Sequence, residues 1–237
     1  RSGLGSSSSF TVGLLNSLNA LKGRMIAKDE LAKEAIHIEQ NVMKEAVGSQ
    51  DQIWASYGGL NRIEFHPDGR FDVSPLILSD DNRSSLKSSL MLFFTGFSRY
   101  GPQIAQKQID NFDNKERELR TLQQMCEEAS KILCQNRDPV NELGALIHEA
   151  WSLKRELADG VTTPAVDDIY AAGCEAGALG GKLLGAGGGG FMLFIVKPGD
   201  QAKVRERLKG LIHVSFEFDT GGSKIVVFDP EDGGNRS

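Results

Sequence analysis

A glycine- and serine-rich stretch near the start of the chain, GLGSSSS at residues 3–9, has a composition suited to binding phosphate. Apolar residues follow it at roughly helical spacing, which predicts a helix that ends near Gly23 and carries Phe10, Val12, Leu14, Leu15, Leu18 and Leu21. A Gly/Ser turn at a helix N-terminus presents free N–H groups at the positive end of the helix dipole. A phosphate site and a simple helix cap both explain these residues.

Two common nucleotide-binding motifs do not fit this stretch. A dinucleotide-binding turn requires a third glycine where Ser8 stands, and the acidic residues that follow, Asp29 and Glu30, begin a predicted helix instead of ending a strand. A Walker A loop would continue into Gly-Lys-Ser or Gly-Lys-Thr, which this sequence does not do.

Two carboxylates, Glu39 and Asp51, lie in the segment IEQNVMKEAVGSQDQ. Carboxylates in such a place are ordinarily solvated or cap a helix. A functional reading requires both at one cleft, where one would hold a hard cation together with water and the other would meet a substrate hydroxyl.

A second glycine-rich stretch, GAGGGG at residues 185–190, separates the apolar runs KLL and FMLFIV. Four consecutive glycines weaken a strand, so the stretch predicts a loop between two strands. A flexible link is one explanation for this composition. Close approach of the backbone to something bulky is the explanation that the two buried flanking strands favour.

The elements that must position these residues alternate between helix and strand. We expect helices near residues 28–46, 102–135, 139–158, 164–178 and 200–210, the first burying Leu31, Ala35, Ile38, Val42 and Met43. We expect strands in NRIEF and FDVSPLIL around the turn HPDGR, in SLMLFFTGF, on both sides of the glycine loop, and in HVSFEFD and KIVVFD. SDDNRSS reads as a polar linker, and the domain boundary is placed there. The pattern is α+β.

Composition limits the function classes. The 237 residues are 40% hydrophobic and carry a formal net charge of −5, which argues against a duplex nucleic acid partner. Cys126, Cys134 and Cys174 form neither a disulfide framework nor a CxxC metal site, which favours a reducing cytoplasm. No apolar run is long enough for a membrane span, and no secretory signal appears. The chain begins without Met inside a motif, so we expect a fragment of a longer protein.

Taken together, these stretches resemble the GHMP kinase superfamily, which includes galactokinase, homoserine kinase and mevalonate kinase. GLGSSSS is similar to its second motif, the ATP-phosphate loop, and KLLGAGGGGF to its third. The resemblance runs from Gly3 to about Asp229 and implies a two-domain α+β GHMP kinase fold. Residues 1–80 would be the remainder of an N-terminal α/β domain, and residues 86–230 a C-terminal ferredoxin-like α+β domain.

Within the superfamily the chain most resembles the D-glycero-D-manno-heptose 7-phosphate kinases, on the segments VGSQDQ, FFTGFSR and AWSLKREL. This implies transfer of the ATP γ-phosphoryl group to the anomeric hydroxyl of the sugar phosphate, with Mg²⁺. By resemblance Asp51 would meet the acceptor hydroxyl, and Ser7 and Glu39 would hold Mg²⁺. The nucleotide would contact Gly3, Gly5, Ser6, Ser7, Ser8, Ser9, Gly187, Gly188 and Gly189.

The departures from the family pattern also matter. Ser8 and Ser9 stand where many members have Ala. The first motif of the family, with its early strands and sugar contacts, would precede Arg1, so we expect this chain alone to lack a complete sugar pocket. Rival hypotheses are a GHMP kinase for another sugar, such as fucose or galactose, and a non-catalytic nucleotide-binding fragment; a homodimer also stays open.

Cationic partners for the sugar phosphate would come from Arg99, Lys154 or Arg155, each of which surface solvation also explains. Trp54 and Tyr57 follow Asp51 closely enough to line a sugar site, although core packing is the simpler role for Trp54.

Overall fold

The computed structural model describes residues 3–97 and 101–229, which divide into two compact units. The smaller unit is built from residues 5–60 and 218–229, and the larger from residues 3–4, 61–97 and 101–217. The predicted domains, residues 1–80 and 86–230, stay a prediction.

The smaller unit is helical. Its elements are α1 (Ser6–Leu21), α2 (Lys28–His37), a π-helical turn (Ile38–Val42) and α3 (Gln50–Tyr57). Its small core consists of Val12, Leu15, Leu31 and Ala35. The helix predicted at residues 28–46 was therefore too long: regular α-helix ends at His37, and Val42 and Met43, expected to be buried, are exposed.

The final described segment, residues 218–229, is held against the helices of the smaller unit by hydrogen bonds to its backbone carbonyls. The Lys28 ammonium donates to the carbonyls of Tyr57 (2.9 Å) and Gly221 (3.0 Å). The Gly59 N–H donates to the Asp219 carbonyl at 2.9 Å. The strand expected in KIVVFD is wrong, because no ladder forms over residues 224–229 and Val226 and Val227 are largely exposed.

The larger unit begins with the predicted hairpin, which the structure confirms. Strands β1 (Asn61–Phe65) and β2 (Phe71–Pro75) are antiparallel, and Phe65 lies opposite Phe71 across the turn. The predicted linker SDDNRSS is instead the start of helix α4 (Asp80–Ser89). The Ser79 hydroxyl caps this helix by accepting the Asn82 N–H at 3.2 Å, and two acidic residues in the first turn complement the helix dipole.

The remaining elements form a sheet with helices. They are β3 (Leu90–Phe94), α5 (Gly101–Asp110), a 3₁₀ turn (Phe112–Lys115), α6 (Glu116–Cys134), α7 (Val140–Arg155), α8 (Pro164–Glu175), β4 (Ala178–Leu183), β5 (Phe191–Val196), a 3₁₀ turn (Pro198–Asp200), α9 (Gln201–Arg207) and β6 (Ile212–Val214). The helix predicted at residues 102–135 is thus two helices. They separate at Asn111, whose amide donates to the Leu157 carbonyl at 2.7 Å.

The sheet has the antiparallel order β4-β5-β3-β6. A strand, helices, a hairpin, a helix and a last strand in this order give the expected ferredoxin-like arrangement. Its core packs Phe194 of β5 against Phe93 and Tyr170, and Trp151 packs against Tyr170. The strand predicted in HVSFEFD is confirmed only at its start, since β6 ends at Val214.

Candidate functional site

The N-terminus of α1 carries the predicted phosphate loop. Gly5 precedes the helix with φ +63°, a left-handed conformation that glycine adopts without strain, and no side chain caps this end. The first intrahelical bond runs from the Ser9 N–H to the Gly5 carbonyl (2.8 Å). The N–H groups of Ser6, Ser7 and Ser8 therefore have no partner within the helix, as an anion-binding helix end requires.

A buried polar cluster lies one turn into this helix. The Ser8 hydroxyl donates to Oε2 of Glu39 at 3.0 Å, and the Gln52 amide Nε2 donates to the same oxygen at 2.5 Å. Glu39 is only 1% exposed, and Ser8 and Gln52 are also buried. The hydroxyl that bonds Glu39 is thus that of Ser8, whereas Ser7, the predicted metal ligand, is exposed. The metal role of Ser7 stays a prediction.

The other carboxylate oxygen of Glu39 tests whether the cluster suits a cation. Oε1 of Glu39 is buried without a hydrogen-bond partner, and so is Oε1 of Gln52. An unpaired buried carboxylate oxygen is costly, so such an atom calls for an ion or water as its partner. Hard cations such as Mg²⁺ prefer oxygen ligands and keep several waters, so the residues fit that ion. Within residues 3–97 and 101–229 no group of three His, Cys, Asp or Glu side chains forms a cage that would hold a metal by itself.

Glu39 reaches this position because it belongs to the π-helical turn. Such turns insert a residue into a helix and are frequent at functional sites. Gln40 secures the following loop, since its amide donates to the Val47 carbonyl (2.9 Å) and to the Ser49 hydroxyl (3.1 Å). In the same loop Lys44 has φ +53°, a conformation that costs a non-glycine residue energy. The turn and loop together deliver the chain to α3.

Asp51, the predicted acceptor acid, lies in the first turn of α3 and is exposed. Its side chain packs against the helix-capping glycine: a Cβ atom added to Gly5 would lie 3.1 Å from Asp51 Cγ and 3.2 Å from Oδ2. The smaller unit therefore brings three of the predicted features together, namely the start of α1, Glu39 through Ser8, and Asp51 through Gly5.

The second glycine-rich stretch, in the larger unit, is packed against its own chain. Gly187 has φ +124°, and a Cβ atom there would lie 2.6 Å from the Val161 carbonyl oxygen. The Gly188 N–H donates to that oxygen at 3.0 Å, and the Gly190 N–H donates to the Phe97 carbonyl at 2.9 Å. Close backbone approach is thus the reason for these glycines, and the partner is the protein itself. Nucleotide contacts by Gly187, Gly188 and Gly189 stay a prediction.

The two glycine-rich stretches meet within the larger unit. A Cβ atom on Gly3 would lie 2.9 Å from the Leu184 carbonyl oxygen, and one on Gly185 would lie 2.8 Å from Gly3 Cα. Both Gly3 and Gly185 are exposed. The predicted phosphate loop is consequently divided: residues 3–4 belong to the larger unit, and residues 5–9 to the smaller one.

The predicted cationic residues have partners of their own. The Lys154 ammonium donates to the Gly185 carbonyl at 2.7 Å, which fastens the glycine loop to α7. Arg155 forms an ion pair with Asp167 at 3.1 Å. It also lines an open cavity of about 590 Å³ whose charge is mixed, because Lys107 and Lys115 line it together with Asp110, Glu156 and Asp159. Arg99 lies outside the described residues.

Sequence reasoning also missed Gln52 and misjudged Trp54. Gln52 follows Asp51 directly, and a glutamine in a first helical turn ordinarily faces water. The one sequence signal for its burial is its position directly before the apolar Ile53, which is also buried. Trp54 is 44% exposed, so core packing was the wrong role for it.

Comparison with known proteins decides the family. The model for the GHMP kinase N-terminal domain matches residues 1–59, and the model for the GHMP kinase C-terminal domain matches residues 129–212. Together they account for more than half of the chain. The chain belongs to the GHMP kinase family. Kinases of this family are ATP-dependent phosphotransferases, and the expected α+β fold with two GHMP kinase domains is confirmed.

Individual GHMP kinases resemble the chain over most of its length. A D-glycero-alpha-D-manno-heptose 7-phosphate kinase from Campylobacter jejuni is 30% identical over 198 residues, which are 83% of this chain and 58% of that protein. A bifunctional fucokinase/GDP-fucose pyrophosphorylase from Arabidopsis thaliana is 29% identical over 95% of this chain and 22% of that protein. A D-glycero-D-manno-heptose 1-phosphate kinase from Bacteroides thetaiotaomicron has a TM-score of 0.70 at 25% identity, covering 95% of this chain and 65% of that one.

The chain therefore spans a little under two thirds of the heptose phosphate kinases that it matches. Over the part of the chain that the structure describes, no helix combines the length and apolar character that crossing a bilayer requires.

Proposed function

We propose that the protein is a sugar kinase that transfers the γ-phosphoryl group of ATP to the anomeric hydroxyl of D-glycero-D-manno-heptose 7-phosphate, giving the 1,7-bisphosphate. The observation that carries this proposal is the convergence at the start of α1, where uncapped N–H groups, a buried carboxylate and an exposed carboxylate occur together. Phosphoryl transfer needs these three features, because positioning and charge compensation supply most of the catalysis.

The chain's own groups divide the work of binding. The N–H groups of Ser6, Ser7 and Ser8 bind phosphate oxygens of ATP, where the helix dipole favours negative charge. Ser7 and Glu39 are the proposed ligands of Mg²⁺, which when bound offsets the charge of the phosphates.

Asp51 acts on the acceptor. The acceptor oxygen forms a bond to the γ-phosphorus while the bond between that phosphorus and the ADP oxygen breaks. The proton of the acceptor hydroxyl passes to the Asp51 carboxylate, or Asp51 orients the hydroxyl while the proton leaves to water. The exposure of Asp51 suits this role, because the acceptor must reach it from solvent.

The choice of acceptor is supported by the relatives. Both the Campylobacter protein and the Bacteroides structure carry the name of a heptose phosphate kinase, although they name phosphates at different carbons. The fucokinase relative supports the second candidate, phosphorylation of L-fucose or a similar free sugar. A substrate phosphate would favour a basic partner in the acceptor site, whereas a free sugar requires none.

An ADP-release assay on the full-length protein tests the proposal. Its acceptor panel contains heptose 7-phosphate, heptose 1-phosphate, L-fucose and galactose. We expect kcat/KM for heptose 7-phosphate to exceed that for the other acceptors by at least about 100-fold, the discrimination that a site built to bind an extra polar group provides. Preference for L-fucose would support the second candidate, and no ADP release with any acceptor would contradict both.

The catalytic assignment has its own test. Asp51→Asn should lower kcat by at least about 100-fold, the scale expected when a general base is lost. Asp29→Asn is the matched control, because it makes the same change in the first turn of α2, where Asp29 pairs with Lys33 at 3.2 Å on the surface. Turnover of the Asp51 variant within a few-fold of the control would remove Asp51 from the mechanism.

A further inference from the structure

Both hydrogen bonds received by the Glu39 carboxylate go to one of its oxygen atoms. Ser8 and Gln52 donate to Oε2, and Oε1 is left without a partner. We propose that Ser8 and Gln52 are positioning residues, which fix the Glu39 carboxylate so that Oε1 alone is presented to the divalent cation. This inference rests on the proposed kinase function, in which Glu39 is a metal ligand.

The physical need for such positioning lies in the glutamate side chain. The terminal torsion of a glutamate has no sharp preference, so a free carboxylate rotates and offers either oxygen to a ligand. Two donors to one oxygen remove that freedom. Because Glu39 is 1% exposed, water does not compete for these bonds as it would at the surface.

The arrangement of Gln52 supports the same conclusion. This side chain is fully buried, yet only its Nε2 is used, and its own Oε1 has no partner. Burying a glutamine with half of its amide unpaired costs free energy. The bond that it does make, at 2.5 Å to a carboxylate oxygen, is therefore the feature of Gln52 that offsets this cost.

Ser8 adds a second, independent donor. The Ser8 hydroxyl comes from α1, whereas the Gln52 amide comes from α3, so two separate helices hold the same carboxylate. The same serine contributes its N–H group to the phosphate-binding end of α1. The position of the metal ligand is thereby coupled to that of the nucleotide.

The test measures Mn²⁺ binding by electron paramagnetic resonance, which reports both the free ion and the spectrum of the bound ion. The full-length protein is titrated with Mn²⁺ in the presence of a non-hydrolysable ATP analogue. Ser8→Ala should weaken Mn²⁺ binding about 10-fold and Gln52→Leu about 10- to 100-fold, the range measured when groups that orient a metal ligand are removed. Both variants should also broaden the spectrum of the bound ion, because the carboxylate is no longer fixed.

Ser56→Ala is the matched control. Ser56 is buried in the same helix as Gln52, but its hydroxyl donates to the Gln52 backbone carbonyl (2.9 Å) and does not touch Glu39. It should leave Mn²⁺ binding within two-fold of the wild type. Mn²⁺ binding by Ser8→Ala equal to that by Ser56→Ala would overturn the inference. If Gln52→Leu does not fold, Ser8→Ala decides alone.

The experiment separates this inference from the proposed function. Loss of Mn²⁺ affinity in Ser8→Ala, in a protein that does not phosphorylate heptose 7-phosphate, would keep the positioning role and reject the substrate. Phosphorylation of heptose 7-phosphate with unchanged Mn²⁺ affinity in both variants would support the proposed substrate and reject the positioning role.

Discussion

Replacing Gly187 by alanine should sharply destabilise the larger unit. Gly187 has φ +124°, where an alanine backbone is strained by about 1–3 kcal/mol. The new Cβ would also lie 2.6 Å from the Val161 carbonyl oxygen and 2.7 Å from Val161 Cα, an overpacking that typically costs a further 1–3 kcal/mol. Val161 is fully buried and its carbonyl accepts the Gly188 N–H, so it has little room to yield. We expect the free energy of unfolding to fall by about 2–6 kcal/mol, a large part of the 5–15 kcal/mol typical of a domain.

The two tryptophans of the chain make this measurable. Trp151 is 1% exposed in the core of the larger unit, whereas Trp54 belongs to the smaller unit. In a Trp54→Phe background, fluorescence during urea unfolding reports on Trp151 alone. Gly199→Ala is the matched control, because a Cβ there meets no atom within 4 Å. It should change the free energy of unfolding by no more than about 0.5 kcal/mol, as surface substitutions usually do. Equal unfolding midpoints for the two variants would refute the reasoning.

Three further predictions concern other parts of the molecule. Asn82→Ala should destabilise the larger unit by about 1–3 kcal/mol, because the buried Asn82 amide donates to two backbone carbonyls at the end of α6. Ser88→Ala, on the exposed side of α4, is the control and should not destabilise it. Equal urea midpoints for the two variants would contradict this prediction. Burial raises the pKa of the Cys174 thiol, which lowers its thiolate fraction at neutral pH. A thiol reagent at pH 7.5 should therefore modify the two exposed cysteines at least about 10-fold faster than Cys174. One common rate for all three thiols would be inconsistent with this. Glu39→Gln should raise the Mg²⁺ concentration needed for half-maximal activity by about 10-fold or more, because an amide oxygen is a weaker ligand for a hard cation than a carboxylate oxygen. An unchanged Mg²⁺ titration would contradict this prediction.

The sequence predicted well those elements whose signal is local. The turn HPDGR between alternating residues gave the β1–β2 hairpin, and the apolar runs beside the second glycine stretch gave β4 and β5. Helix α4 was missed because its apolar content was too low to show a helical period, although Ser79 and the two aspartates after it are an ordinary helix start.

Elements that depend on distant partners were predicted less well. The run of β-branched and aromatic residues in KIVVF is typical of a strand, but a strand exists only where another strand pairs with it, and the described residues supply none. The π-helical turn at Glu39 could not be predicted either, because the residues that its carboxylate contacts, Ser8 and Gln52, lie elsewhere in the sequence. For the candidate site, residue types identified Glu39 and Asp51 as candidates. Which hydroxyl bonds Glu39, and which residue supports it, required coordinates.

The smaller unit is discontinuous in sequence, and this affects how it can fold. Its two parts are residues 5–60 and 218–229. The hydrogen bond from Gly59 to Asp219 can join them only after the residues between them have closed into a loop. Closing a flexible loop of that length costs roughly 4–5 kcal/mol of chain entropy. Prior folding of residues 61–217 would greatly shorten the free chain in that loop, so the last residues should dock onto the three helices as a late event.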